Sequence, residues 1–173
     1  MFTTTKENKM QVLRHLKVPT GDILIIRGDK GQLEMLSLGD YGQDVNLKCD
    51  AIGLTREIEK VKHTQMLPLW EKWVITISTQ YGCSMGCKFC DVPKVGPGKN
   101  ATFDDLVGRV LTGVWLHPEV ASTKRLNVHF ARMGEPTWNP NVLEAAKWFK
   151  DNLDAKYRCH PVVSTMMPRR NRD

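Results

Sequence analysis

The sequence predicts an α/β fold: a partial (β/α) barrel made of its first three βα units, preceded by a small N-terminal β-hairpin module. Three observations carry this. From Trp70 onward, β-branched apolar runs alternate with amphipathic stretches in the order strand, loop, helix, the pattern of parallel βαβ units joined by right-handed crossovers. Upstream, two apolar runs flank Gly28-Asp29-Lys30-Gly31, a strong hairpin signal because glycine relieves positive backbone angles at a turn. With 173 residues, 41% of them hydrophobic, the chain can bury one ordinary core and a small appendage. The division is expected near Leu67, with residues 1–67 as the hairpin and accessory module and 68–173 as the first half of the barrel.

In chain order, Met10 to Val18 is expected to form a short helix stopped by Pro19. Asp22–Arg27 and Gln32–Leu38 are the hairpin strands, and Gly39-Asp40-Tyr41-Gly42 breaks the chain after them. Leu54–Lys62 alternates charges and reads equally as helix or linker. Trp73–Ser78 is mostly apolar and β-branched, as a buried parallel strand requires. A cysteine-rich loop follows its C-terminal end, which is where α/β proteins place their sites. Gly96-Pro97-Gly98 interrupts the chain again, and Thr102-Phe103-Asp104-Asp105 is a helix-capping signature with acidic residues in the first turn. Phe103, Leu106, Val107, Val110, Leu111 and Val114 define one apolar helical face, ending near His117-Pro118. Leu126–Ala131 is the second strand and Arg132-Met133-Gly134-Glu135-Pro136 its C-terminal loop. Asn141–Asn152 is a helix burying Val142, Leu143, Ala146 and Phe149, and Pro161–Thr165 opens a third strand.

A net charge of +6 suits a polyanionic partner as well as an ordinary lysine-rich surface. No apolar run approaches the ~20 residues that span a bilayer, and Met1-Phe2-Thr3-Thr4-Thr5-Lys6 lacks a hydrophobic signal core. The expectation is a cytoplasmic protein without a membrane partner, its thiols kept reduced.

The most specific chemistry lies in Cys83-Ser84-Met85-Gly86-Cys87-Lys88-Phe89-Cys90. The CxxxCxxC spacing fits a 4Fe-4S cluster held by three thiolates. Four would saturate the cluster for electron transfer, whereas three leave one iron open to another ligand. Zinc, the alternative, prefers four ligands in two pairs and finds no second nearby pair here; Cys49, Cys159 or a histidine could complete it only through the fold. Gly86 is expected to give the loop freedom at a crowded point. Phe89, between the second and third cysteines, either shields the cluster and presents backbone to a bound nucleoside or simply packs.

These cysteines, followed one βα unit later by Met133-Gly134-Glu135-Pro136, resemble the radical SAM superfamily. The order Ser78-Thr79-Gln80-Tyr81-Gly82-Cys83, Cys87-Lys88-Phe89-Cys90, Gly98-Lys99-Asn100-Ala101-Thr102, Gly134-Glu135-Pro136 and Ser164-Thr165 is similar to one of its families. That family comprises the dual-specificity methyltransferases acting on carbon 2 or carbon 8 of adenosine in ribosomal RNA, and on carbon 2 in transfer RNA. The resemblance runs from about Trp73 to Thr165, with the hairpin like the family's lead-in. It implies a 4Fe-4S cluster on Cys83, Cys87 and Cys90 whose free iron chelates S-adenosylmethionine, and a 5'-deoxyadenosyl radical formed by reductive cleavage. It further implies that Phe89, Gly134, Glu135 and Ser164 contact S-adenosylmethionine, Ser164 through its ribose or carboxylate. A strand-terminal serine bonding its own backbone is the other reading of Ser164. RNA, and an electron donor such as flavodoxin or ferredoxin, are the implied partners.

The chain also departs from that family. Seven residues before Cys83, where a family member carries one of two cysteines used in methyl transfer, this chain has Thr76, whose hydroxyl forms no disulfide. The other cysteine lies far beyond the last cluster ligand in that family, and Cys159, preceding the third strand, reads instead as a buried thiol. Met166 replaces the glycine usual after Ser-Thr. No catalytic residue for methyl transfer is therefore assigned. Three βα strands do not close a barrel, so the expectation is a fragment, a split half or a chain completed by a second polypeptide, with the terminal arginines a solvated or RNA-touching tail.

Overall fold

The computed structural model describes residues 10–18, 21–39 and 68–169. A six-stranded mixed sheet organises them. Strands β1 (Val12–Val18), β2 (Gly21–Gly28) and β3 (Gly31–Gly39) form an antiparallel meander. Strand β4 (Trp73–Ile77) pairs antiparallel with β3, and β7 (Leu126–Phe130) and β8 (Cys159–Val163) extend the sheet in parallel, in the order β1-β2-β3-β4-β7-β8. The short strands β5 (Gln80–Tyr81) and β6 (Lys99–Asn100) make a separate ribbon above the end of β4. The hairpin is thus joined to the parallel strands by a continuous ladder in which Met35 faces Ile77 and Ser37 faces Ile75.

Alternation of side chains along each strand builds the core. Leu24, Ile26, Leu33, Met35, Trp73, Ile75, Ile77, Leu126, Val128 and Phe130 are all buried, and they share a covered face with two helices. Helix α1 (Phe103–Trp115) begins in a full capping box: Thr102 Oγ1 accepts from the Asp105 N–H at 3.1 Å and Asp105 returns the bond to the Thr102 N–H at 3.0 Å. Helix α2 (Asn141–Tyr157) sets Phe149 6.0 Å from Phe130, centroid to centroid. Trp73 packs edge-on against Tyr157 and donates Nε1–H to Ser37 Oγ at 2.9 Å, so its indole is both buried and satisfied.

A buried guanidinium joins hairpin, first parallel strand and α1. Arg109 donates to the carbonyls of Asp105 (2.8 Å), Ser78 (2.5 Å) and Glu34 (3.4 Å). Burial pushes its pKa down to about 10, against the favourable field of Asp105, so it stays charged at neutral pH.

Several elements differ from the sequence expectation. Met10–Val18 is no helix: Val12–Val18 is a strand pairing β2, with Leu16 opposite Ile23 and Val18 opposite Gly21. Its apolar spacing serves both periods, and the available partner strand decides between them. Helix α2 continues five residues past Asn152, burying Leu153 and Tyr157, and ends where Arg158 takes the left-handed conformation with φ 47°. Leu143 is 79% exposed; Ala145 occupies the core face instead, at the spacing Val142, Ala145, Phe149, Leu153. Gly39 ends β3, whereas the rest of the expected Gly39–Gly42 break, Leu54–Lys62, Cys49, His63, Arg170 and Arg172 lie outside the described residues. No helix among the described residues is long and apolar enough to cross a membrane.

At the edge of the sheet, β8 bonds to β7 through alternate residues: the Leu126 N–H donates to the Arg158 carbonyl at 3.4 Å, and the Ser164 N–H to the Phe130 carbonyl at 3.2 Å. Pro161 lies between, opposite Val128.

Candidate functional site

Because β4, β7 and β8 are parallel, the segments leaving them emerge at one end of the sheet. These are the cysteine loop after β4, the Met133-Gly134-Glu135-Pro136 loop after β7, and Ser164-Thr165-Met166 after β8.

The cysteine loop is shaped by its flanks. Gly82 has φ +74°, and a Cβ there would collide with the Gly96 backbone, to whose carbonyl the Cys83 N–H donates at 3.3 Å. The three thiols are free and partly exposed, and the Met85 N–H points at Cys83 Sγ at 3.4 Å, an orientation that favours a thiolate or metal-bound sulfur. The Cys90 N–H donates to the Cys87 carbonyl at 3.1 Å, closing a turn around the last two cysteines. Among the described residues no three His, Cys, Asp or Glu side chains are drawn together as around a single metal ion. An all-thiol set suits iron-sulfur ligation, in which the thiolates stand around a body larger than one ion. Phe89 is 82% exposed and lies outside the core. A Cβ at Gly86 meets no protein atom within 4 Å, and the glycines crowded by protein atoms around this loop are Gly82, Gly98 and Gly134.

The loop after β7 is held from several sides. The Met133 carbonyl accepts from the Thr79 N–H (2.8 Å) and the Gln80 N–H (3.2 Å), fastening it to the start of the cysteine segment. Arg132, with φ 75°, forms a two-pronged pair with Glu34, Nη2 to Oε1 at 2.5 Å and Nε to Oε2 at 3.3 Å. Gly134 has φ +99°, and a Cβ would sit 2.6 Å from both the backbone N and the Cβ of Gln80. The close approach that requires glycine here is therefore made by a protein side chain.

Glu135 is 2% exposed and its carboxylate is fully engaged. Oε1 accepts from Thr165 Oγ1 (2.5 Å), Thr137 Oγ1 (2.7 Å) and the Thr137 N–H (3.0 Å); Oε2 accepts from the Met166 N–H at 3.0 Å. Burial pushes the carboxyl pKa up, but the bonds from Thr165, Met166 and Thr137 together outweigh it and hold the group below the ordinary carboxylate value. The side chain thus ties the second loop to the third, and since Met166 contributes only its backbone N–H, glycine is not required there. Ser164 is exposed at the end of β8, its backbone N–H bonded to β7.

Two residues considered for methyl transfer lie elsewhere. Thr76 is in the middle of β4, opposite Leu36 and His129. Cys159 is fully buried, and burial together with Asp154 raises its thiol pKa to about 12, so it is an unreactive core thiol.

Sequence reasoning assigned no role to Gln80, Asn100, Asn139 or Thr165. Asn139 Nδ2 donates to the carbonyls of Thr79 (2.8 Å) and Ala101 (3.0 Å), and its Oδ1 accepts from the Asn141 N–H, capping α2. Asn100 Nδ2 donates to the Trp138 carbonyl at 2.9 Å. Gln80 and Asn100 flank the cysteine and glycine-rich segments, which is the one signal the sequence holds for them.

A mixed α/β sheet thus gathers at one end three thiols, in the loop after its first parallel strand, and a Gly-Glu loop after the next. No family model matches the chain. It is 32% identical over 108 residues to the dual-specificity RNA methyltransferase RlmN of Campylobacter lari, covering 61% of this chain and 30% of that protein. It is 34% identical over 104 residues to RlmN of Campylobacter concisus (58% and 26%), and 36% identical over 81 residues to RlmN of a Nitratiruptor strain (46% and 22%). The chain is thus homologous over this segment to the dual-specificity RNA methyltransferases, the radical SAM family that its motifs resemble. The matched segment amounts to less than a third of the length of these relatives.

Proposed function

We propose that this chain holds a 4Fe-4S cluster through Cys83, Cys87 and Cys90 and S-adenosylmethionine beside it, in a partial (β/α) barrel of radical SAM type that acts in RNA modification. The observation that carries the reading is the placing of a three-thiol loop and the Gly134-Glu135 loop on one end of parallel strands, in a chain similar over 108 residues to a dual-specificity RNA methyltransferase. The cluster with S-adenosylmethionine would supply reductive cleavage to a 5'-deoxyadenosyl radical. The residues present do the rest. The Met85 N–H steadies the Cys83 sulfur, and the exposed Phe89 ring is free to cover a bound nucleoside. The exposed Ser164 side chain offers a hydroxyl to the ribose or carboxylate. Because the Glu135 carboxylate is already taken by Thr137, Thr165 and Met166, an ammonium group at this rim would be met by backbone carbonyls of the Gly134-Glu135 segment. The net charge of +6 favours RNA, and a flavodoxin- or ferredoxin-like donor would supply electrons in a cytoplasmic setting. A second polypeptide pairing at β8 would complete the sheet.

A second reading is favoured by Thr76: with a hydroxyl where the family carries a methyl-transfer cysteine, the domain generates the radical for another substrate, or holds the cluster without turnover. Anaerobic reconstitution with iron and sulfide, then reduction with S-adenosylmethionine, separates these. Formation of 5'-deoxyadenosine supports the radical enzyme, and a cluster spectrum without cleavage supports the non-catalytic form. Stoichiometric zinc without iron overturns both. RNA as partner is tested by binding at graded salt, and salt-independent or absent binding overturns it.

A further inference from the structure

Gln80 lies between the two loops that the proposed site needs, and it is 2% exposed. Its Oε1 accepts from the Ser84 N–H at 3.1 Å, inside the cysteine loop, and from the Glu135 N–H at 3.3 Å, inside the loop after β7. Its Nε2 donates to Asn100 Oδ1 at 2.8 Å, which fixes which way the amide faces, and Asn100 is itself held by the Trp138 carbonyl. The stem of Gln80 fills the space above Gly134. One oxygen thus carries one N–H from each loop, while the nitrogen of the same amide anchors it to a third segment. Glutamine supplies an acceptor and a donor at this reach; an aliphatic side chain supplies neither, and glutamate only the acceptor.

We propose that Gln80 is a positioning residue that sets the separation between the cysteine loop and the Gly134-Glu135 loop, and through it the fit of S-adenosylmethionine against the cluster. This rests on the reading that Cys83, Cys87 and Cys90 hold the cluster and that the Gly134-Glu135 loop meets the cofactor. Gln80 acts through the two backbone N–H groups and not by touching iron or substrate.

The test compares the unaltered chain with Gln80→Leu and Gln80→Glu after anaerobic reconstitution, reading iron content, thermal midpoint, and S-adenosylmethionine binding from the change it causes in the cluster's electron paramagnetic resonance spectrum. Q80L is expected to load iron like the unaltered chain and to bind S-adenosylmethionine about tenfold more weakly, the worth of one or two lost hydrogen bonds. Q80E keeps the shared acceptor but sets a carboxylate oxygen against Asn100 Oδ1, and is expected to recover part of that loss. Unchanged binding in Q80L, or binding as weak in Q80E as in Q80L at equal thermal midpoint, overturns the proposal. An unaltered chain that loads no iron overturns the site reading instead, and the two failures are told apart by iron content. Should Q80L not fold, amide hydrogen exchange in the unaltered chain carries the test. Slow exchange at both Ser84 and Glu135 supports the shared anchor, and fast exchange at either overturns it.

Discussion

Replacing Gly134 with alanine separates a packing role for this glycine from a cofactor role. Its φ of +99° is a conformation that costs an L-residue about 1–3 kcal/mol. The new Cβ would stand 2.6 Å from the backbone N and Cβ of Gln80, atoms that cannot swing aside because Gln80 is pinned at both ends of its amide. Overpacking of this kind adds about 1–3 kcal/mol. The expected destabilisation is therefore about 2–6 kcal/mol, and with a urea slope of about 2 kcal/mol/M the midpoint falls by at least about 1 M. Gly86→Ala is the internal control. No protein atom lies within 4 Å of its Cβ and its φ is not positive, so its stability should move by no more than about 0.5 kcal/mol. Both measurements are made on the cluster-free chain, where a glycine kept only for cofactor approach would be neutral. A G134A midpoint equal to that of the unaltered chain would refute the steric argument and return Gly134 to a purely ligand-facing role.

Three further outcomes are expected at the rim. The Glu135 carboxyl is held below its ordinary value of 4.5, so its contribution to stability is full above that value and is lost as pH falls through the lower, folded one. The stability gap between the unaltered chain and E135Q should accordingly narrow on acidification, read as thermal midpoints across pH; a gap that widens contradicts the network. In the cluster-free chain, iodoacetamide should modify Cys83, Cys87 and Cys90, whereas Cys159, buried and with its thiol raised to about 12, should react only on unfolding; mass spectrometry of the labelled peptides decides it. If RNA lies across the cysteine end, Lys88→Ala and Lys99→Ala, both exposed, should each reduce the slope of log affinity against log salt by about 0.7, and an unchanged slope removes those lysines from the interface.

The parallel strands were legible because Trp73–Ile77 is apolar and β-branched and Leu126–Phe130 alternates Leu126, Val128 and Phe130 with polar Asn127 and His129, and the capping box of α1 is written in Thr102 and Asp105. Val12–Val18 was not legible: its residues satisfy either period, and only the presence of β2 as a neighbour settles the matter. The end of α2 was missed because no glycine marks it; Arg158 adopts the left-handed cap in glycine's place. At the site, the cysteines and the Gly-Glu pair announce themselves by type and spacing. Gln80, Asn139 and Thr165 do not, since an amide or hydroxyl holding a loop looks in sequence like any surface polar residue until its burial is known.

The pairing of β8 with β7 has a consequence for the outer side of the sheet. Arg158 and Ser164 bond inward, and with the two-residue alternation of a strand so do His160 and Val162, which turns the backbone groups of Cys159, Pro161 and Val163 outward. The middle one of these has no N–H. Cys159 is already engaged, its N–H by the Asp154 carboxylate and its carbonyl by Lys150 Nζ at 3.1 Å, so a strand laid along this margin meets a donor at Val163 and none at Pro161. The margin is thereby a poor template for indiscriminate strand addition, and selective for a neighbour whose own backbone does not need an answering donor opposite Pro161.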